Sequence, residues 1–337
     1  MNHKECVRAS LLHRQPERTP YSIGFTQKAR ASMVQHLGAS SEKTLNGLVH
    51  NAIHGLSPSL RVPWREVAPD VWADEFGVQW NRSVDKDIGV VANVCITPAN
   101  LEAYQFADPD APERYERFDE QIRTHPDHFV LANIGFSLFE RAWTLAGMET
   151  VLAAMVDNPA FVHRLLDRIL EYNLHLIANC CRYPIDAMMF GDDWGQQRGV
   201  MMGPRLWREF IGPRVRQMYQ AAKAQGKFVF IHSCGKVDAL FPDLIEAGLD
   251  CFNPFQPKVM DVYEMKRRYG DRLSFYGGIS TQRTLPYGTP QQTRDEVRRL
   301  LDEVGRSGGY IAAPAHAIPG DAKPENVLAM LDVLNSQ

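Results

Sequence analysis

From about residue 127 onward, short apolar runs alternate with longer amphipathic stretches along the chain. Such alternation is typical of repeated β-α units built around a parallel sheet. The pattern predicts strands at residues 128–135, 186–191, 227–233, 249–254, 273–278 and 310–315. An apolar segment at 21–26 is the predicted first strand, and the Pro- and acid-rich segment 106–121 is predicted to form a surface excursion before a short helix.

Capping signals mark the helices between these strands. Asn158 stands directly before Pro159 and an apolar stripe with helical spacing, which predicts a helix that begins at Pro159. Thr289 and Gln292 have the spacing of a capping box at the start of another helix. Two further helices are predicted, one from Pro204 to Gly226 and one that begins near Pro324.

Together these elements favour one fold class. The predicted strands of the second half start about 20–45 residues apart, and 337 residues suit an eight-stranded (β/α)8 TIM barrel with an N-terminal excursion. We expect residues 1–337 to form a single domain. An open doubly wound sheet is the alternative, but the chain contains neither GxGxxG after an early strand nor GxxxxGK[ST].

Composition narrows the range of functions. The chain is 45% hydrophobic and 23% charged with a formal net charge of -3, and it has no long run of Lys and Arg, which argues against nucleic-acid and membrane-surface partners. No segment approaches the ~20 consecutive apolar residues that span a bilayer. The six cysteines are too scattered for a disulfide framework. We therefore expect a cytoplasmic protein with reduced thiols.

The segment FVFIHSCG carries the strongest chemical signal. A buried strand ends there on His232 and Cys234, which lie two residues apart and so point to the same side of an extended backbone. Imidazole and thiolate are favoured zinc ligands, and a catalytic zinc takes three protein ligands with one open position. The alternative interpretation is a hydrogen-bonded buried His beside a small buried Cys.

Polar residues and glycines follow most of the predicted strands. In a barrel, the loops after the strands build the active site, so these residues are candidates for function. Those at the ends of the later strands are Asp192, Asp193, Trp194, Asn253, Gly278 and His316. Arg141 and Arg283 also follow strands and are candidates for binding an anionic group. Turn formation, helix capping, backbone room and surface ion pairing are the alternative roles.

Longer stretches resemble a known family. They run from GDDWGQQRGVMMGPRLWREFIGPR through FIHSCGKVDALFPDLIEAGLDCFNPFQP and SFYGGISTQRTLPYGTP to PAHAIPGDAKPENV, and over about residues 130–335 they resemble the uroporphyrinogen decarboxylase superfamily. The resemblance implies a (β/α)8 barrel. It also implies one of two activities, because the superfamily contains metal-free porphyrinogen decarboxylases and zinc-dependent methyltransferases that exchange methyl groups with a corrinoid on a partner protein.

Two segments favour the methyltransferase branch. Decarboxylases carry Arg-Gln-Ala-Gly-Arg-Tyr near the N-terminus to hold a polyacidic tetrapyrrole, whereas this chain reads YSIGFTQKAR there, without the paired arginines. The methyltransferases carry His-X-Cys after the fifth strand, which His232 and Cys234 match, and a further Cys near the eighth. No cysteine follows Cys251, and His316 stands in that neighbourhood instead. An acidic ligand from Asp192 or Asp193 is the alternative.

We therefore expect a zinc-dependent methyltransferase that moves a methyl group between a small methylated substrate, or a thiol, and a corrinoid on a separate carrier protein. His232, Cys234 and His316 are the expected zinc ligands, and Asp192 or Asp193 is the expected general acid or hydrogen-bond acceptor. The expected substrate-binding residues are Arg141, Trp194, Asn253, Gly278 and Arg283. Two alternatives remain open: a metal-independent decarboxylase-like lyase and a non-catalytic barrel that binds a tetrapyrrole or partner protein. A homodimer is also left open.

Overall fold

The computed structural model describes residues 1–38, 41–59 and 64–337. The strands are β1 Ile53–Leu56, β2 Arg65–Ala68, β3 Val71–Ala73, β4 Gln79–Asn81, β5 Val90–Val91, β6 Phe129–Ile134, β7 Ala187–Gly191, β8 Gly195–Gln196, β9 Gly199–Val200, β10 Phe228–His232, β11 Cys251–Phe255, β12 Ser274–Ile279 and β13 Tyr310–Pro314.

The helices are α1 His3–Leu11, α2 Gln27–Leu37, α3 Ser41–Leu48, α4 Phe118–Thr124, α5 Phe139–Ala146, α6 Met148–Asp157, α7 Pro159–Cys181, α8 Gly203–Leu206, α9 Gly212–Ala224, α10 Phe241–Ala247, α11 Val262–Tyr269, α12 Thr284–Tyr287, α13 Pro290–Glu303 and α14 Pro324–Asn335. Short 3₁₀ turns lie at Pro112–Arg114 and Asp238–Leu240. A π-helical turn, Trp207–Ile211, separates α8 from α9, so the helix predicted from Pro204 to Gly226 is divided.

A parallel sheet forms the barrel, with strand order β1-β6-β7-β10-β11-β12-β13. The segment around Tyr21 lies between its two edges: Tyr21 forms a parallel bridge with Ala312 of β13, and its carbonyl accepts a hydrogen bond from Ala52 next to β1. The predicted (β/α)8 fold is therefore confirmed. The first strand predicted at 21–26 is reduced to isolated bridges, and β1, which the pattern did not predict, takes the second position.

The N-terminal excursion contains an antiparallel sheet of order β2-β3-β4-β5, which the hydrophobic pattern also did not predict. Its strands have two to four residues, too short for a period-2 pattern to stand out. The segment 106–121 does form a connection that leads into α4, as predicted. This sheet matters for function because Trp80 of β4 and Val91 of β5 pair with each other and line a large cavity described below.

A buried cluster closes one end of the barrel and leaves the other end open. Phe230 and Cys251 belong to a buried cluster that also contains Val7 and Leu11 of α1, so α1 fills the N-terminal end of the barrel. Two residues further along, His232 and Asn253 point the same way as Phe230 and Cys251, because side chains alternate with period two. Functional side chains are thereby directed to the C-terminal end.

The capping predictions are confirmed at two helices. The Asn158 side chain accepts a hydrogen bond from the backbone of Phe161 at the start of α7. Thr289 and Gln292 form the reciprocal capping box of α13. In the described part of the chain, no helix is long and apolar enough to cross a membrane.

Candidate functional site

Three potential metal ligands meet at the C-terminal end of the barrel. One ligand atom each from His232, Cys234 and His316 lies within 4.8 Å of the other two. His232 ends β10, Cys234 lies in the loop that follows, and His316 comes after β13. The His232 and His316 rings are 5.5 Å apart at a 73° angle. The structure thus brings together the three residues predicted as a zinc site.

Asn253 orients the first of these ligands. His232 and Asn253 are register partners on β10 and β11, and the His232 Nδ1 lies 2.6 Å from the Asn253 Oδ1. The Asn253 amide nitrogen donates to the Tyr276 carbonyl, which fixes its oxygen toward the imidazole. Because the amide oxygen only accepts, Nδ1 carries the proton and Nε2 is free to bind a metal. That Nε2 lies 3.5 Å from the Cys234 Sγ.

The Cys234 loop is held by the neighbouring loop after β7. The Asp193 Oδ1 accepts a 2.7 Å hydrogen bond from the Cys234 backbone N–H. Gly195 and Gly235 allow the two backbones to approach: a Cβ on Gly195 would lie 2.5 Å from the Cys234 carbonyl oxygen, and Gly235 also has φ +86°. Glycine is required at both positions for steric reasons.

The environment of the site raises the pKa of one candidate ligand and lowers the pKa of another. Burial and the nearby charges of Asp193 and Glu140 raise the pKa of the Cys234 thiol well above its usual value. Partial desolvation and the neighbouring His232 lower the pKa of His316. Without a metal, this site therefore favours a neutral thiol and a neutral imidazole, and a bound cation would favour the thiolate.

Asp192 lies beside the site but is saturated with hydrogen bonds. Its carboxylate accepts from the backbone N–H groups of Leu138, Phe139 and Glu140 at 2.8–3.2 Å and from the Trp194 indole at 2.6 Å. The carboxylate is 1% exposed and caps the start of α5. Of the two aspartates predicted to be catalytic, Asp192 positions the β7 and α5 loops, and Asp193 lies next to the thiol.

The sequence of the chain also matches a known protein family. Residues 71–337 match the family described as uroporphyrinogen decarboxylase (URO-D). The chain belongs to the URO-D family. The resemblance inferred from the sequence is thereby confirmed. In barrels of this kind the active site lies at the C-terminal end of the strands.

Curated URO-D relatives are distant. The chain is 26% identical over 222 residues to the uroporphyrinogen decarboxylase of Methylococcus capsulatus, which covers 60% of this chain and 58% of that protein. It is 26% identical over 255 residues to the enzyme of the same name from Pseudomonas fluorescens, covering 72% and 69%. The chain matches little more than half of the length of the first relative.

A solved structure described as a methyltransferase from Methanosarcina mazei has the same fold. The two chains superpose with a TM-score of 0.73 and 17% identity, over 100% of this chain and 99% of the other. At this identity the likeness supports the fold assignment alone.

Two of the predicted substrate-binding residues, Trp194 and Gly278, have packing roles in the structure, and a direct role with substrate stays a prediction. Trp194 is fully buried, packs edge-on against Trp207 and donates its indole N–H to Asp192, so it supports the loop from within the core. Gly278 has φ +100°, and a Cβ there would lie 2.9 Å from the Tyr310 hydroxyl. Close packing explains this glycine.

The two predicted arginines differ in their surroundings. Arg141 lies 3.6 Å from Asp74 and its guanidinium stands 3.8 Å above the Phe76 ring, so its partners belong to the excursion. Arg283 is exposed at the residue before α12. A role of Arg283 in binding an anionic substrate stays a prediction.

Sequence reasoning missed Glu140. This residue lies in the first turn of α5, and burial together with the charges of Asp193 and Asp192 raises its pKa to about 9. A carboxyl group that stays protonated at neutral pH next to a metal-binding cluster is suited to proton transfer. The available signal was its position in the segment that follows β6, the same signal that singled out its neighbour Arg141.

Proposed function

We propose that this URO-D family protein is a zinc-dependent methyltransferase that moves a methyl group between a small methylated substrate, or a thiol, and a corrinoid held by a separate carrier protein. The convergence of His232, Cys234 and His316 carries this proposal. The superfamily's decarboxylases need no metal, whereas its methyltransferases require one. The fold shared with a protein described as a methyltransferase is consistent with the proposal.

The donor set fits zinc. Bonds of about 2.0–2.3 Å in tetrahedral geometry place two ligands about 3.3–3.8 Å apart. The Cys234 Sγ and His232 Nε2 are 3.5 Å apart. One thiolate and two neutral imidazoles are common zinc ligands, and three of them leave a fourth position open for a substrate. The Asn253–His232 hydrogen bond supplies the outer-shell support that histidine ligands of zinc usually have.

Zinc held there would act as a Lewis acid, polarising the heteroatom that bears the methyl group or stabilising a thiol as its thiolate. In this mechanism Asn253 holds the His232 tautomer, and Asp193 anchors the backbone of Cys234. The Glu140 carboxyl, which stays protonated because of burial, would donate a proton to the departing heteroatom.

The carrier protein is part of the proposal. The methyl group must pass to or from a corrinoid, and the candidate metal cluster lies at the C-terminal end of the barrel. We therefore infer that the corrinoid arrives on another protein and approaches the open end of the barrel. Decarboxylation of a polyacidic tetrapyrrole is disfavoured because 21–30 lacks the paired arginines of the decarboxylases.

The activity can be tested with simple probes. We expect zinc-loaded protein to accelerate the transfer of the methyl group from methylcobalamin to 2-mercaptoethanol, followed by the change in corrinoid absorbance. The Cys234→Ser variant should lose this acceleration, and the exposed control Val156→Ala should retain it. Equal rates with and without zinc in the parent protein, both in this reaction and in methyl transfer from methylated substrates to cob(I)alamin, would overturn the proposal.

A further inference from the structure

A large apolar cavity lies beside the candidate metal centre. It has a volume of about 800 Å³, and its wall includes Trp80, Val91, Phe136, Glu140 and Trp143. This volume is within the range of about 300–1,000 Å³ that is usual for pockets that bind drug-sized molecules. It far exceeds the space that a methanol or methylamine molecule needs.

Two elements build the walls of this cavity. Glu140, Trp143 and Gly147 are spaced i, i+3 and i+7 along α5 and its C-terminal end, so they share one face of the helix. The opposite wall comes from Trp80 and Val91, which are cross-strand partners in the excursion sheet. Barrel and excursion therefore each form one side of this open cavity.

The rings form a continuous aromatic wall. Phe136 packs edge-on against Trp80 at 5.4 Å and against Trp143 at 6.3 Å. Trp80 is 2% exposed and its indole N–H is bonded to Asp74, so it supports Phe136 from within the core and adds no free polar atom. A planar aromatic ligand gains most from such a wall, because stacked and edge-on ring pairs are both favourable.

The charge of the residues that line the cavity restricts the class of ligand further. Among the described residues that line the cavity, Glu140 alone is charged, so a sulfonate or carboxylate would find no cation there. Several apolar residues at its rim are exposed, including Ile88, Val90 and Val94. Exposed apolar side chains that rim a cavity are typical of a ligand site.

Glu140 links the cavity to the candidate metal cluster. The Glu140 backbone N–H bonds to Asp192, and the adjacent Asp193 accepts from the Cys234 backbone. Glu140 is thus a wall of the cavity and a neighbour of the cluster at once.

We propose that this cavity binds an aryl methyl ether, with the ring against Trp143 and Phe136 and the ether oxygen toward Glu140. The proposal rests on the proposed function and names its substrate class. In the reaction the O–CH₃ bond would break and its electron pair would stay on the aryl oxygen, which takes a proton. The methyl group would pass to the carrier's reduced corrinoid, which supplies the electron pair of the new bond.

Binding can be measured without turnover. The affinity of the full chain for 2-methoxyphenol is determined by titration calorimetry, with tetramethylammonium and methanesulfonate as comparison ligands. We expect saturable binding of 2-methoxyphenol alone, weakened about tenfold or more in Trp143→Ala because ring contacts are lost. Val94→Glu, which adds a charge at the exposed rim, should weaken binding too, and Val156→Ala should not.

The outcomes separate this inference from the proposed function. Absence of 2-methoxyphenol binding, preference for tetramethylammonium, or full affinity in both Trp143→Ala and Val94→Glu would overturn the aryl ether proposal even if zinc binds. Retained 2-methoxyphenol binding by a protein that takes up no zinc would leave the cavity assignment standing and overturn the zinc mechanism. Thermal unfolding of each variant shows whether a loss of binding comes from a loss of folding.

Discussion

His232 and Asn253 are register partners on adjacent strands, and their side chains meet with the imidazole Nδ1 2.6 Å from the amide oxygen. This contact leaves the His232 Nε2 unprotonated and directed toward Cys234. A contact between two neighbouring barrel strands thus fixes the tautomer of His232 in the ligand-free protein. Asn253 was predicted as a substrate-binding residue; its side chain orients His232, and a direct role with substrate stays a prediction.

Asn253→Ala should weaken zinc binding by about 10- to 100-fold, because outer-shell partners of a metal-binding histidine contribute on this scale. The zinc affinity is measured by competition with a chromophoric chelator. Asn179→Ala is the matched control, since Asn179 bonds Asp110 and the Pro109 carbonyl, outside the cluster. An unchanged zinc affinity in Asn253→Ala would show that the tautomer contact has no role in metal binding.

Zinc binding should release about one proton per chain at pH 8, because the pKa of the Cys234 thiol is raised by burial and the bound form is a thiolate. Titration calorimetry in buffers with different ionisation enthalpies gives the number of protons. Cys234→Ser, which is expected to lose zinc, should release no proton under the same conditions. Equal proton release in the two proteins would mean that Cys234 is not a ligand.

Asp192→Ala should destabilise the protein by about 3 kcal/mol or more, since three backbone N–H groups and one indole N–H would lose a charged acceptor in a buried position. The free energy of unfolding is measured by denaturant titration. Asp238→Ala removes a partly exposed ion pair with Lys236 and should cost less than about 1 kcal/mol. Similar losses in both variants would contradict the capping role of Asp192.

Glu140 should make stability depend on pH in the zinc-free protein. Its pKa of about 9 in the folded state lies above the value of about 4.3 in an unfolded chain. Between these values the folded state binds more protons, so stability falls as pH rises. We therefore expect the stability of Glu140→Gln relative to the parent to increase from pH 4 to pH 9.

The free energy of unfolding at several pH values tests this sign. Glu149→Gln, on the exposed side of α6, is the matched control and should follow the parent at every pH. A stability difference between Glu140→Gln and the parent that stays constant across this range would show that Glu140 ionises normally.

The barrel and the metal cluster were predictable because their signals are local. Buried parallel strands appear as apolar runs, and His232, Cys234 and His316 each follow such a run. The excursion sheet was not predictable, since its short strands have no clear alternation. Glu140 was missed for a different reason: its pKa depends on Asp192 and Asp193, which are distant in sequence and meet it only in the folded chain.

Zinc per chain, determined by elemental mass spectrometry on untagged protein, tests the central claim most directly. We predict about one zinc per chain in the parent protein and its loss in both Cys234→Ser and His316→Ala, whose side chains share the cluster. A parent protein that takes up no zinc after purification without chelators and reloading would contradict the account, as would full zinc retention in both variants.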